Sequence, residues 1–346
     1  MIPAHGEPLG RALLRSEAAD FQVDELLPFE PSGEGEHCLV RVRKRGWNTE
    51  AVARELARRA GVSRGAVGLA GLKDRYAVAT QWLSVHSPRA MPALEPGVLD
   101  EGLEILTAVR NGRKLRRGAL RENRFHIRLR SVRAPSRAVD RRLAAIAARG
   151  VPNYFGRQRF GRHGDNVEQA RGWLLRGEAV RGRGTRGLLL SAVRSALFNR
   201  VLARRVAEGT WDRLEPGDRA VLDGRGSHFS VPALDGDLRR RAAAGSLHPT
   251  GPLPGSGGDG PSGRVAELEA EVLAEEPDLV AALERQGIEA ARRALRVMPR
   301  QLAWSWPDAD GLALSFALPP GAYATTVIGE VVVAEEPAAE GPEAAP

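Results

Sequence analysis

The sequence predicts an α+β protein in which a sheet-forming domain is interrupted by a mainly helical insertion at about residues 150–297. Three observations carry that prediction. Apolar and polar residues alternate, the period of a half-buried strand, in several stretches between residues 20 and 130 and again after Pro299. Between those stretches apolar residues recur at helical spacing. The 346 residues, 42% of them hydrophobic, suffice for two domains of ordinary size and exclude wholesale disorder.

In chain order, Val23–Glu25 reads as a short strand, and Pro28, Pro31, Gly33 and Gly35 punctuate the loop after it. In Cys38–Arg43, Cys38, Val40 and Val42 alternate with Leu39, Arg41 and Arg43, so a second strand is expected. Asn48 or Thr49 caps a helix that carries Val52, Leu56 and Ala60, and Gly61 stops it. Trp82–His86 and Leu103–Val109 alternate again. The clearest strand is Asn123–Arg130, with Phe125, Ile127 and Leu129 on one face and His126, Arg128 and Arg130 on the other. Arginines on that face suit contact with an RNA backbone, and equally a merely solvated surface. Ser136–Arg149 is an amphipathic helix ended by Gly150, and further helices are expected at 187–207, 264–275 and 277–286. His248–Gly263 is rich in Pro, Gly and Ser without a period and reads as a mobile loop. Strands are expected once more at Leu312–Leu318 and Thr325–Val333. The acidic, Pro- and Ala-rich residues 334–346 read as a disordered tail.

Charge narrows the function. The 51 Lys+Arg outnumber the 43 Asp+Glu for a net charge of +8, but the excess is clustered: residues 101–200 alone carry a net +17, and the remainder is acidic. Only Lys44, Lys73 and Lys114 are lysines. GC-rich coding explains arginine in place of lysine, but not the clustering, which is the footprint of a polyanion binder. The one cysteine, Cys38, excludes a disulfide framework and a Cys-rich zinc site. The seven histidines never pair at metal-ligand spacing, and the P-loop, nucleophile-elbow and strand-linked dinucleotide signatures are missing. No apolar run reaches the roughly 18–20 residues that span a bilayer, and the first residues lack the apolar core of a signal peptide. A soluble, cytoplasmic protein without metal or cofactor is expected.

Two segments place polar residues where packing does not demand them. Gly71–Ala77 sets Asp74 between Lys73 and Arg75, beside Tyr76, at what reads as a loop-to-helix junction. Cations that close favour an ionised carboxylate able to act as nucleophile or base; a plain charged surface turn has the same composition. Val151–Gly161 gathers Asn153, Gln158, Arg157, Arg159 and the rings of Tyr154, Phe155 and Phe160 between glycines. Such groups stack bases and bind phosphates, and they also fit a Gly-rich hinge whose aromatics anchor a core.

Together these segments resemble the tRNA pseudouridine synthase D (TruD) family. The resemblance rests on Ala19-Asp20-Phe21-Gln22-Val23-Asp24-Glu25, Phe29–His37, Ala70-Gly71-Leu72-Lys73-Asp74 and its downstream Ala77, Thr80, Gln81 and Trp82. It continues through Asn123-Arg124-Phe125, Val151–Gly161, Leu247–Pro252 and Leu318–Thr326, in order from about residue 19 to 330. The resemblance implies a pseudouridine-synthase catalytic domain with a mixed, largely antiparallel sheet at residues 1–149, closed by strands at 298–333. The family's inserted domain would occupy 150–297, and the tail 334–346. It implies isomerisation of a tRNA uridine, usually the one at position thirteen, to pseudouridine; that chemistry needs neither cofactor nor protein partner, and, separately from the resemblance, a monomer is expected. By motif, Asp74 looks like the catalytic aspartate; Phe21, Asn123, Phe125 and Tyr323 would line the uracil pocket. Lys73 and Arg75 would stabilise the ionised Asp74 or a nearby phosphate. The chain departs from the family at Gly329, where an arginine is common, at Tyr323, where phenylalanine is common, and in the length of His248–Gly263. A non-catalytic RNA-binding or RNA-chaperone protein on the same fold is the alternative.

Overall fold

The computed structural model describes residues 1–88, 94–161 and 163–337. They fall into two compact units: a sheet unit (Gly10–Ala134, Arg300–Gly321 and the segment from Val333) and a helical unit (Met1–Leu9, Pro135–Pro299 and Ala322–Val332).

The sheet unit opens with β1 (Arg11–Leu14), β2 (Phe21–Leu26) and β3 (His37–Lys44). Helix α1 (Thr49–Arg59) follows, its first turn capped by Asn48, whose side-chain oxygen accepts the Ala51 N–H at 2.7 Å. Val52, Ala53, Leu56 and Ala57 are the buried stripe of α1. They pack on Val40, Val42, Leu83, Val85, Leu103 and Ile105, the apolar face of β3 and of the strands that come next. Those are β4 (Val67–Leu69), β5 (Val78–His86), β6 (Gly97–Asp100), β7 (Leu103–Asn111) and β8 (Glu122–Arg133). In β8 the expected apolar face, Phe125, Ile127 and Leu129, is buried. On its other face Arg130 forks onto the Asp20 carboxylate at 2.9–3.0 Å and Arg128 pairs with Asp308, both side chains staying partly exposed.

The helical unit begins at α2 (Ser136–Arg149), which Gly150 ends at φ 77°, a conformation that favours glycine. Then come β9 (Val151–Pro152), α3 (Asn166–Arg176) and the long α4 (Arg183–Ala207). Beyond α4 the chain forms β10 (Arg219–Leu222), β11 (His228–Ser230), α5 (Gly236–Ala243) and β12 (Leu247–Leu253). Helices α6 (Gly263–Leu273) and α7 (Pro277–Arg285) and strands β13 (Ala291–Ala294) and β14 (Arg296–Val297) complete this stretch. The unit therefore carries a four-stranded sheet, ordered β11-β10-β12-β13, beside its helices. This overturns the loop expected at His248–Gly263: its first six residues lie in β12, a nearly wholly buried strand pairing with β10 and β13. Gly251 is needed there, because a Cβ would press on Leu295 at 2.8 Å and Phe198 at 3.1 Å.

The chain then returns to the sheet unit through β15 (Arg300–Asp308) and β16 (Gly311–Leu318). After α8 (Ala324–Gly329), in the helical unit, it ends in β17 (Val333–Glu335). The strand expected at Thr325–Val333 is thus mostly a helix. Val327 and Ile328 are fully buried, and a short buried helix presents the same continuous β-branched run as a buried strand. The tail expected from residue 334 starts later, since Ala334 and Glu335 pair with β1; residues 338–346 lie outside the described residues. The large sheet runs β15-β16-β8-β2-β5-β3-β7-β6, with β1 on β8 and β17, and β4 on β5. Only β2–β5 and β1–β17 pair in parallel, so the sheet is mixed and largely antiparallel, as expected. Among the described residues no helix is long and apolar enough to cross a membrane.

Candidate active site

Asp74 lies in an irregular segment between β4 and β5, a strand-to-strand connection and not the loop-to-helix junction that the sequence suggested. The segment is held from below by buried polar groups. Lys44, at the end of β3, is fully buried and donates to the backbone carbonyls of Trp47 and Asp74, both at 2.7 Å, and of Lys73 at 3.3 Å. Burial pushes its pKa down to about 8, against the pull of the nearby Asp74 charge. Thr49 accepts the Lys73 N–H at 2.9 Å and donates to Gln81 at 3.0 Å. The Lys73 ammonium, expected on Asp74, is instead ion-paired with the fully buried Glu25 of β2. Glu25 also accepts the Trp82 N–H at 3.2 Å, so one carboxylate ties the Asp74 segment to two strands. Gly71 is small for a reason: a Cβ would stand 2.8 Å from the Lys73 nitrogen.

The cation on Asp74 is Arg15, at 3.1 Å, a residue that sequence reasoning missed. Arg15 follows β1 in a left-handed conformation, φ 61°, which costs energy for a residue with a Cβ. Its guanidinium lies 4.3 Å above the centre of the Phe21 ring, and its Nε is buried without a hydrogen-bond partner. Phe21 meets Phe125 edge-on at 6.0 Å, and Phe125 stacks on Phe316 at 5.5 Å. Asn123, two residues before Phe125 on β8, stands opposite Glu25 of β2 and Leu318 of β16. Its side-chain Oδ1 is buried and unpaired. The other side of Asp74 accepts the Tyr76 N–H at 3.1 Å, while a quarter of its side chain stays exposed. The Arg75 guanidinium lies 5.5 Å from the Tyr76 ring centre. The sheet unit thus brings together Asp74, Phe21, Asn123 and Phe125, adds Arg15, and uses Lys73 and Lys44 to hold the loop.

Tyr323 belongs to the helical unit, at the start of α8, and its surroundings come from the Val151–Gly161 segment. Its hydroxyl accepts from Arg159 at 3.2 Å, and Arg159 also donates to Ser191 at 3.1 Å. Phe155 packs edge-on to Tyr323 at 6.3 Å, and Arg293 lies 4.1 Å above the Phe155 ring. Deep burial pushes the Arg293 pKa down to about 10. Tyr154 and Phe155 are buried in the core of this unit, so these two rings anchor packing; Arg157 and Gln158 are exposed.

A signal for Lys44 and Lys73 was present in the sequence. In a chain where arginine has displaced nearly every lysine, the three that remain mark places where a compact ammonium is required. Two of the three fasten the Asp74 segment. Arg15, one of 48 arginines, carried no such mark.

The family profile of tRNA pseudouridine synthase D (TruD) matches residues 6–181 and 183–331. A tRNA pseudouridine synthase D of Xanthomonas axonopodis pv. citri is 46% identical over 346 residues, covering 95% of this chain and 93% of the relative. One from Nitrosococcus oceani is 47% identical over 332 residues, covering 95% and 92%. The crystal structure of a Methanosarcina mazei protein assigned as tRNA pseudouridine synthase D superposes with a TM-score of 0.71 at 23% identity over 96% of both chains, a likeness of fold. With nearly its whole length matched, the chain belongs to the tRNA pseudouridine synthase D (TruD) family.

Proposed function

We propose that this chain isomerises a uridine of tRNA, the one at position thirteen, to pseudouridine, with Asp74 as the catalytic carboxylate. The observation that carries the reading is the setting of Asp74. Its carboxylate is gripped on one side by Arg15, partly open on the other, and grouped with the Phe21 and Phe125 rings and an unpaired Asn123 oxygen. The reaction breaks the C1′–N1 bond, turns the uracil and joins C1′ to C5; the C5 proton leaves and N1 gains one, with no net redox change. One carboxylate serves any of three first steps: attack at C1′, addition at C6, or removal of a ribose proton. The target base must leave its stack, at a cost of a few kcal/mol. Contact with aromatic rings, worth about 1–3 kcal/mol per base, offsets that cost. The Asn123 oxygen is an acceptor for a base N–H such as that of uracil N3.

The remaining assignments are carried by the sequence pattern: Tyr323 as a substrate contact, residues 150–297 as the inserted domain, and a monomer working in the cytoplasm without cofactor. The test uses purified protein and an unmodified tRNA transcript. Pseudouridine should form at position thirteen, and Asp74→Asn should abolish turnover while retaining most tRNA affinity. Turnover surviving in Asp74→Asn would remove Asp74 from the mechanism; tRNA binding without any pseudouridine would favour a binding protein on the same fold.

A further inference from the structure

The segment between β7 and β8, residues 112–121, has no helix or strand, yet it is fastened at every few residues. Leu115 and Leu120 are buried, and the Leu115 N–H donates to Ser84 at 2.9 Å. The Asn111 side chain donates to the Arg113 carbonyl at 2.9 Å, and Lys114 reaches the Gly65 carbonyl at 2.5 Å. Two further bonds join it to the active-site scaffold. The Gly118 N–H donates at 2.8 Å to the carbonyl of Ala70, at the head of the Asp74 segment, and the Arg121 N–H donates at 2.8 Å to Leu26, next to Glu25. On this fixed backbone Arg113, Arg116 and Arg117 are exposed, and among the described residues none has a carboxylate within ion-pair distance.

Three arginines of α1 and the turn after it, by contrast, are neutralised. Arg58 and Arg59 share Glu55, whose pKa they hold down at about 2, and Arg64 forks onto Glu50. Four cations, the three arginines and Lys114, crowd five residues and repel one another, and a flexible loop would spread them. Here the backbone anchors prevent it, so the cost of gathering the charge is met before any ligand arrives. A polyanion with regularly spaced charges is the partner that fits such a display.

We propose that the Arg113–Arg117 loop is a phosphate clamp, holding the RNA phosphodiesters that flank the nucleotide presented to Asp74. The inference rests on the reading of the chain as an RNA-modifying enzyme, and extends it to residues outside the reacting pocket. Two triple variants remove the same formal charge from the same unit: Arg113→Gln/Arg116→Gln/Arg117→Gln, and Arg58→Gln/Arg59→Gln/Arg64→Gln. tRNA binding is titrated at several salt concentrations, and kinetics and melting temperature are recorded. The loop triple should lower the slope of log affinity against log salt by about two to three, at roughly 0.7–0.9 per phosphate contact. Its KM for tRNA should rise at least about tenfold, far more than kcat falls, and lysines at the same three positions should restore the slope. The α1-side triple should leave the slope unchanged. An unchanged slope in the loop triple, or an equal loss in both, overturns the clamp. Because binding is measured apart from turnover, a chain that binds tRNA with the expected slope but forms no pseudouridine defeats the proposed reaction and leaves the clamp standing.

Discussion

The Arg15–Asp74 pair of the sheet unit and the Arg205–Asp218 pair of the helical unit are made of the same two residue types and built for opposite ends. Arg205 and Asp218 are almost fully buried and meet in a fork at 2.9 and 3.0 Å. The guanidinium then spends its remaining donors on the Thr210 carbonyl, and Asp218 accepts the Glu215 N–H at 2.7 Å. Arg15 lies 3.1 Å from Asp74 and also reaches Glu336 at 2.5 Å, its Nε is buried without a hydrogen-bond partner, and Asp74 is a quarter exposed. A buried pair with every polar atom used can only hold the chain together. The pair at Asp74 is the more open of the two, and its Arg15 sits on a strained backbone that the contacts around it must hold.

Exchanging each carboxylate for its amide should break the likeness most visibly. Asp74→Asn is expected to lower turnover by at least about a thousandfold, as loss of a reacting carboxylate does, with the melting temperature nearly unmoved. Asp218→Asn should do the reverse: unfolding free energy falls by about 3–5 kcal/mol, because Arg205 is left buried without its counter-charge, while kcat per folded molecule is retained. If Asp74→Asn instead unfolds the protein and keeps its activity, the two pairs are alike. Next in size, Arg15→Met should cost about a hundredfold in kcat by freeing the carboxylate from its aim, with a smaller loss of stability than Arg205→Met; equal stability losses would make Arg15 structural.

The pH dependence of stability sharpens the contrast further. Lys44 has a folded-state pKa of about 8, below its ordinary value. Between pH 8 and about 10.5 the unfolded chain therefore binds more protons than the folded one, so the unfavourable cost of burying this charge is present in full below pH 8 and is relieved as pH rises. The unfolding free energy of the wild type, taken relative to Lys44→Met, should climb by about 1–3 kcal/mol over that window; a flat difference would mean that Lys44 titrates in the folded protein as it does in the unfolded chain and keeps its charge beneath Asp74. Tyr323→Phe should have the least effect. It removes the acceptor of one Arg159 hydrogen bond and retains the ring, for a cost of about 0.5–1.5 kcal/mol in thermal or denaturant unfolding.

Much of the fold was legible wherever one face of an element is buried and the other is not. β3, β8 and α2 fall where alternation and amphipathicity place them, α2 to the residue. Reading failed where burial surrounds the element. β12 is enclosed on both faces and carries Pro249, Gly251 and Pro252, so its composition imitates a loop. α8 is short, and its β-branched run Thr325–Ile328 imitates a strand. β15 is a different case: Leu302, Trp304 and Trp306 alternate plainly with exposed neighbours, and the strand was there to be read. At the site, Asp74, Phe21, Asn123 and Phe125 were legible as motif residues. Their cation was not, because a pairing across 59 residues leaves no period in the sequence.

The central place of β8 has a consequence for how the protein is made. Its neighbours are β1 and β2, synthesised before it, and β16, which the ribosome reaches only after the whole stretch from residue 134 to 310. At 5–20 residues per second that interval lasts roughly 10–30 s. For that time the nascent chain carries a strand whose edge is bare from Asn123 to Leu129, and an incomplete aromatic cluster, since Phe125 awaits Phe316. An unpaired edge of that length invites other strands, so the segment most exposed to error during synthesis is the one that carries Asn123 and Phe125. A slow or stalled passage through residues 134–310 should therefore cost the cell correctly assembled enzyme before it costs it protein.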